Sequence, residues 1–181
     1  MNDPNWNLPD VPSFVLESPD FEAGGMLPQW ARSGIAHAGG EDRSPTLHWY
    51  GFPSGTKSFV LTMFDPDAPT SSGWWHWAVF NIPASIESLP QSAGSSNARL
   101  MPNGAITLPN DLRLEAFQGA APPAGHGEHR YIFTVSALNS ERLDIAEGST
   151  PAMLGFVMRD LVVARAQLLG RSRTESDSAV R

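Results

Sequence analysis

Three short segments of this 181-residue chain concentrate side chains that bind anions or move protons near neutral pH. The first is Asp65-Pro66-Asp67-Ala68-Pro69. Its prolines fix their own φ and bias Asp65 and Ala68, which precede them, towards extended backbone, so a stiff loop presents two carboxylates. An ordinary solvated turn accounts equally well for this pentapeptide taken alone. The second is Gly73-Trp74-Trp75-His76-Trp77. Alternation along a strand predicts Trp75 and Trp77 on one face, Trp74 and His76 on the other. That pattern gives either a core of aromatics around a hydrogen-bonded histidine, or an apolar wall beside an adjustable donor. The third runs from Pro122-Pro123 through Gly125-His126-Gly127-Glu128-His129-Arg130-Tyr131. His129 and Tyr131 share one side of a strand and Arg130 points to the other, where Asp65 or Asp67 can pair with it. His126, between two glycines, is read as a rim residue.

These segments adjoin apolar runs that must position them. Lys57–Phe64 is β-branched and aromatic and stops at Asp65-Pro66, which favours a buried strand over a helix. Trp77–Ile82 and Arg130–Leu138 read the same way, and Ser13–Pro19 and Thr46–Tyr50 as shorter strands. Ser92 to Asn103 reads as surface loop. One helix is expected. Thr150 can cap it, Pro151 suits its first position, and Gly170 follows its end. Leu154, Val157, Leu161, Ala164 and Leu168 fall on one face of it. The sum predicts a mainly β protein, a sandwich with helical additions. An extended arm over 1–12, one domain over 13–170 and a disordered tail over 171–181 complete the expected organisation.

Bulk composition narrows the function. A net charge of −7 leaves no basic footprint for nucleic acid or an anionic membrane surface. With no cysteine, disulfides, thiolate metal sites and cysteine nucleophiles are excluded. No apolar run approaches the ~20 residues that span a bilayer, and no basic-then-apolar leader opens the chain, so a cytoplasmic location is expected.

Together the motifs resemble the phosphatidylethanolamine-binding protein family, in particular its bacterial Raf-kinase-inhibitor-like branch. The residues that carry the resemblance are Asp65-Pro66-Asp67-Ala68-Pro69, Trp74-Trp75-His76-Trp77 with Asn81-Ile82-Pro83, and Gly127-Glu128-His129-Arg130-Tyr131-Ile132-Phe133. Ser44-Pro45 through Trp49 and Pro53 to Phe59 fit as well, and the match runs from about Phe14 to Gly170. The resemblance implies a Greek-key sandwich of antiparallel sheets with a C-terminal helix near the pocket and short additional helices. It implies a cavity for phosphate, phosphorylethanolamine, acetate or similar anions, lined by Asp65, Trp74, His76, Pro123, His129 and Tyr131. Asp67 and Arg130 would brace it. Two departures stand out: Ala120 where a proline often follows the glycine, and Phe117 where many members carry a tyrosine.

The expected function is non-catalytic binding of phosphate or a phospholipid headgroup, with no cofactor and no metal. Regulation of a kinase or protease partner is what the family name suggests, and a homodimer is left open. Protonation of His76 or His129 between about pH 5 and 8 is expected to strengthen anion binding. The alternative is a metal-assisted or acid–base phosphoester hydrolase built on Asp65, His76 and His129.

Overall fold

The computed structural model describes residues 8–96 and 99–175. The first seven residues of the expected arm and the last six of the expected tail lie outside the described residues. Two antiparallel sheets face each other. Strands β1 (Val15–Glu17), β2 (Leu47–Tyr50) and β5 (Ser88–Leu89) form the smaller sheet, in the order β1-β2-β5. The larger takes the order β6-β4-β3-β7-β8, from β3 (Ser58–Asp65), β4 (Trp74–Pro83), β6 (Ile106–Thr107), β7 (Glu128–Leu138) and β8 (Val162–Arg173).

The long apolar runs become the central strands because both of their faces are covered. On the inner face Phe59, Leu61, Met63, Tyr131, Phe133 and Val135 meet Leu16, Leu47, Trp49 and Leu89 of the smaller sheet. On the outer face Val60, Ala78, Phe80 and Leu138 pack under Leu154 and Met158 of helix α1 (Pro151–Met158). At about 25 cal/mol per Å² and 150–250 Å² per ring, each fully buried aromatic contributes roughly 4–6 kcal/mol before entropy is counted. Trp49, Trp77, Phe59 and Phe133 all reach that limit.

The C-terminal third departs from the expected helix. Thr150 does cap α1, its Oγ1 accepting from the Met153 amide at 3.2 Å, and Pro151 opens the first turn. The helix ends at Met158, however, and Val162–Arg173 forms β8, paired with β7 from Leu138 to Glu128. Beyond Met158 the expected helical stripe obeys a second period. Ala164, Ala166, Leu168, Gly170 and Ser172 alternate as buried positions, and pairing along all of β7 outweighs local helix propensity. Gly170 therefore ends no helix. It lies opposite Tyr131 in mid-strand, where an added Cβ would come within 2.6 Å of the Leu27 side chain. Arg171–Arg173, expected in the tail, belong to this strand. Of the short additional helices, one 3-10 turn, Gln29–Ala31, is present among the described residues.

Two irregularities distort β4. Met63 pairs with Trp77 and Phe64 with Trp75, so His76 is an extra residue, a β-bulge. Phe59 pairs with Ile82 and Leu61 with Val79, and within that second bulge Asn81 takes a left-handed φ of 57°. Asn81 holds the main chain of Leu143 from both sides, accepting its N–H at 2.8 Å and donating to its carbonyl at 3.2 Å.

Candidate functional site

At the end of the large sheet where β3, β4 and β7 converge lies a cavity of about 270 Å³. Five of the six ligand-contact residues expected from the sequence line it: Asp65, Trp74, His76, Pro123 and His129. Tyr131, fully buried, stands behind this wall with its ring 5.2 Å from that of His76. Helix α1 packs on the opposite side of the sheet and contributes nothing to the cavity, contrary to the helix-near-pocket arrangement that the resemblance implied.

The bulge explains how β4 delivers its side chains. An extra residue in one strand turns neighbouring side chains out of strict alternation. Trp74 and His76 face the cavity, and Trp77 packs beside them in the core against Phe117 at 5.5 Å. Trp75 instead lies on the outer face against Phe64 at 4.5 Å. The expected pairing of Trp75 with Trp77 on one face therefore fails, while that of Trp74 with His76 holds.

The two histidines are held differently. His129 Nδ1 lies 2.9 Å from Asp65 Oδ2, and the ionised carboxylate can only accept, so the imidazole donates. The other carboxylate oxygen, Oδ1, accepts from the Asp67 amide at 2.8 Å. His76 Nδ1 lies 3.0 Å from the Gln118 carbonyl, again an acceptor only, which puts the proton on Nδ1 and leaves Nε2 a lone pair. Burial pushes His76 down to about 4, against a smaller opposing pull from Asp65, so it is uncharged between pH 5 and 8. The expectation that His76 charges in that range is corrected: full burial outweighs the nearby carboxylate. Burial also raises the Tyr131 phenol above its ordinary range, and the Asp65 charge adds to the shift. Its hydroxyl is shut off from water and lies beside the Asp65 carboxyl and the Ala121 main chain.

Asp67 and Arg130 meet just outside. Arg130 Nε and Nη2 bind the two carboxylate oxygens of Asp67 at 2.8 and 2.7 Å, and the Arg130 amide adds a third bond at 2.9 Å. The Arg130 hydrogen bond is the main cause holding the Asp67 carboxyl below its usual range. This fork ties the Asp-Pro loop to the start of β7. His126 is exposed, with its ring 5.7 Å from that of His129.

Gln118 was not visible from the sequence. Its side-chain oxygen accepts from Trp74 Nε1 at 2.8 Å while its main chain holds His76, so one residue fixes two cavity walls. A lone glutamine in an irregular stretch carries no pattern that could have marked it. Thr70, Ala36 and Leu112 complete the mouth. The two departures sit away from the cavity surface. Phe117 is in the core, and Ala120 is fully buried with its backbone bonded to Ala31 and Ser33, while Ala121 faces the cavity. No group of three His, Asp or Glu side chains is placed to hold a metal ion among the described residues.

A sandwich of two antiparallel sheets with an Asp–His pair, a neutral histidine and a buried tyrosine at one end is the arrangement that a known family must match. The chain belongs to the phosphatidylethanolamine-binding protein family, whose model matches residues 17–173. It is 49% identical to YbhB of Escherichia coli over 142 residues, covering 78% of this chain and 88% of that protein. It is 44% identical to E. coli YbcL over 157 residues, covering 86% and 85%. The crystal structure of YbcL superimposes with a TM-score of 0.86 at 37% identity, covering 90% of this chain and 99% of that one. A homolog from Chlamydia trachomatis, CT736, gives 0.76 at 28% identity, again covering 90% and 99%. No helix is long and apolar enough to cross a membrane among the described residues.

Proposed function

We propose that this chain is a non-catalytic binding protein whose cavity takes one small oxyanion, as inorganic phosphate or as the phosphate of a phosphorylethanolamine-type headgroup. The observation that carries this reading is the polar set lining the cavity: the Asp65–His129 pair and the lone pair of His76, with the Tyr131 hydroxyl buried behind them beside Asp65. His76 Nε2 is an acceptor for a protonated oxygen or an ammonium group. No lysine or arginine lines the cavity, so the contacts to an anion fall to the imidazole of His129, which Asp65 holds in place. Trp74 and Pro123 add apolar surface beside these groups. The hydrolase alternative finds little support: Asp65, His76 and His129 do not form a metal-holding group.

Calorimetric titration with inorganic phosphate and with phosphorylethanolamine, each at pH 6 and pH 8, tests the proposal. Both ligands are expected to bind, and His129→Gln is expected to weaken each about 10-fold or more, the range of a hydrogen bond to a charged group. Absence of binding at both pH values, or affinity unchanged by loss of the imidazole, would overturn the reading, and turnover of p-nitrophenyl phosphate would favour the hydrolase.

A further inference from the structure

The outer face of the large sheet carries a second cavity, of about 310 Å³, that plays no part in anion binding. Its floor contains Thr62 of β3 and Thr134 of β7, directly paired across the two central strands. These residues are 9% and 5% exposed, and neither hydroxyl has a hydrogen-bond partner among the described residues. Central strands near an apolar helix normally carry apolar side chains at such positions, so two hydroxyls open to one cavity and engaged by no protein group offer a ligand a hydrogen-bonding edge. The rest of the lining is Trp75, Leu8 and residues of α1 with the adjoining Arg159.

Helix α1 reads Pro-Ala-Met-Leu-Gly-Phe-Val-Met, without one polar side chain. Leu154 and Met158 account for its buried side, yet Phe156 remains 63% exposed. An added Cβ at Gly155 would meet nothing within 4 Å, which leaves open space along the helix where it faces the groove. Charge is balanced at the lip. Arg159 bonds Asp160 at 3.0 Å, donates to the Phe156 carbonyl at 2.8 Å and lies 4.3 Å over the Phe156 ring. The groove thus has flat aromatic walls, neutral hydroxyls below and no uncompensated ion.

We propose that this groove is a second ligand site, for a neutral planar aromatic molecule with a hydrogen-bonding edge. The ring lies between Trp75 and Phe156 and its polar edge reaches Thr62 and Thr134. A hydroxyl both donates and accepts, so the floor matches an N–H, an O–H or a carbonyl but cannot neutralise a full charge. A broad protein face laid on Phe156 would stop at the lip and leave the recessed hydroxyls unsatisfied. The groove is independent of the anion cavity, since the two lie on opposite faces of the sheet and share none of their lining residues.

Indole and its hydrocarbon isostere indene separate the two requirements. Titrations of the full-length protein are followed by amide and indole N–H resonances. Indole is expected to shift Thr62, Trp75 and Thr134 with a Kd of roughly 1 mM, and indene to bind more weakly. Thr62→Val and Thr134→Val, which keep shape and β-branching, are expected to weaken indole about 2- to 10-fold each and leave indene unchanged. Phe156→Ala, on the exposed side of the helix, is expected to weaken both. Absence of shifts at these three residues overturns the proposal, as does equal indole affinity in wild type and both valine variants. Sedimentation showing a dimer that buries Phe156 also overturns it, by giving the groove to a second copy.

Discussion

His129 donates its Nδ1 hydrogen to Asp65 across 2.9 Å, with only 3% and 4% of the two side chains exposed. Two polar groups this deep persist only if each satisfies the other, because an unpaired buried partner loses its hydration and gains nothing. Asp65 also anchors the Asp67 amide, so the same carboxylate ties the Asp-Pro loop of β3 to the start of β7. Positioning of the candidate ligand-binding imidazole and closure of the loop therefore share one residue.

Replacing Asp65 with alanine strands the His129 Nδ1–H and the Asp67 amide together. The expected cost is about 1–3 kcal/mol of folding stability, read as a lower urea midpoint. Asp65→Asn, which keeps an acceptor, should lose less. Equal losses in the two variants would mean that packing, not the hydrogen bonds, is what Asp65 supplies.

His76 makes stability depend on acid. Its folded pKa of about 4 lies below the ordinary histidine value of 6.5. Between those values the unfolded chain takes up a proton that the folded chain refuses, so stability is complete above pH 6.5 and falls towards pH 4. The full loss from this group is on the order of 3 kcal/mol. Denaturant titrations at a series of pH values should show that slope in wild type and a shallower one in His76→Gln. Parallel slopes count against a neutral, buried His76.

The Asp67–Arg130 fork offers a test of geometry against charge. Arg130→Lys keeps the cation but cannot reproduce two parallel bonds, so it should lower the melting temperature nearly as much as Arg130→Ala. The Asp67 carboxyl is held below its ordinary 3.8, so its stabilising effect is present above that value and lost as pH falls through its lower folded pKa. Full recovery with lysine would show that charge alone suffices.

Asn81 combines a left-handed backbone with two bonds to Leu143. Glycine restores the backbone freedom but not the bonds, and alanine restores neither. Thermal stability should therefore rank Asn81 above the glycine variant and glycine above alanine, with about 1 kcal/mol between the last two. An alanine variant more stable than glycine would contradict the role assigned to the φ angle.

Much of this arrangement is legible in the amino-acid order because it depends on continuous local patterns. Buried runs such as Lys57–Phe64 and Arg130–Leu138 announce the central strands, and the motif residues at their ends come together at the cavity. Legibility failed where two periods overlap. Leu161, Ala164 and Leu168 satisfy a helical spacing, but Ala164, Ala166 and Leu168 also satisfy a strand, and only β7 decides between them. It failed again at His76, since nothing local signals that a strand will carry one residue more than its neighbour. Gln118 escaped because its role comes from proximity in space to Trp74, 44 positions away.

That one supernumerary residue at His76 reverses side-chain parity partway along β4. Upstream of it, the consecutive residues Trp74 and Trp75 serve two compartments separated by the thickness of a single sheet. Deleting that residue would leave Trp74 opposite Asp65 and Trp75 opposite Phe64 in a regular strand, so each indole would keep its compartment and the polar cavity alone would lose its imidazole. The insertion is thus what lets one strand supply both an indole and an imidazole to the same cavity while a second indole serves the other face.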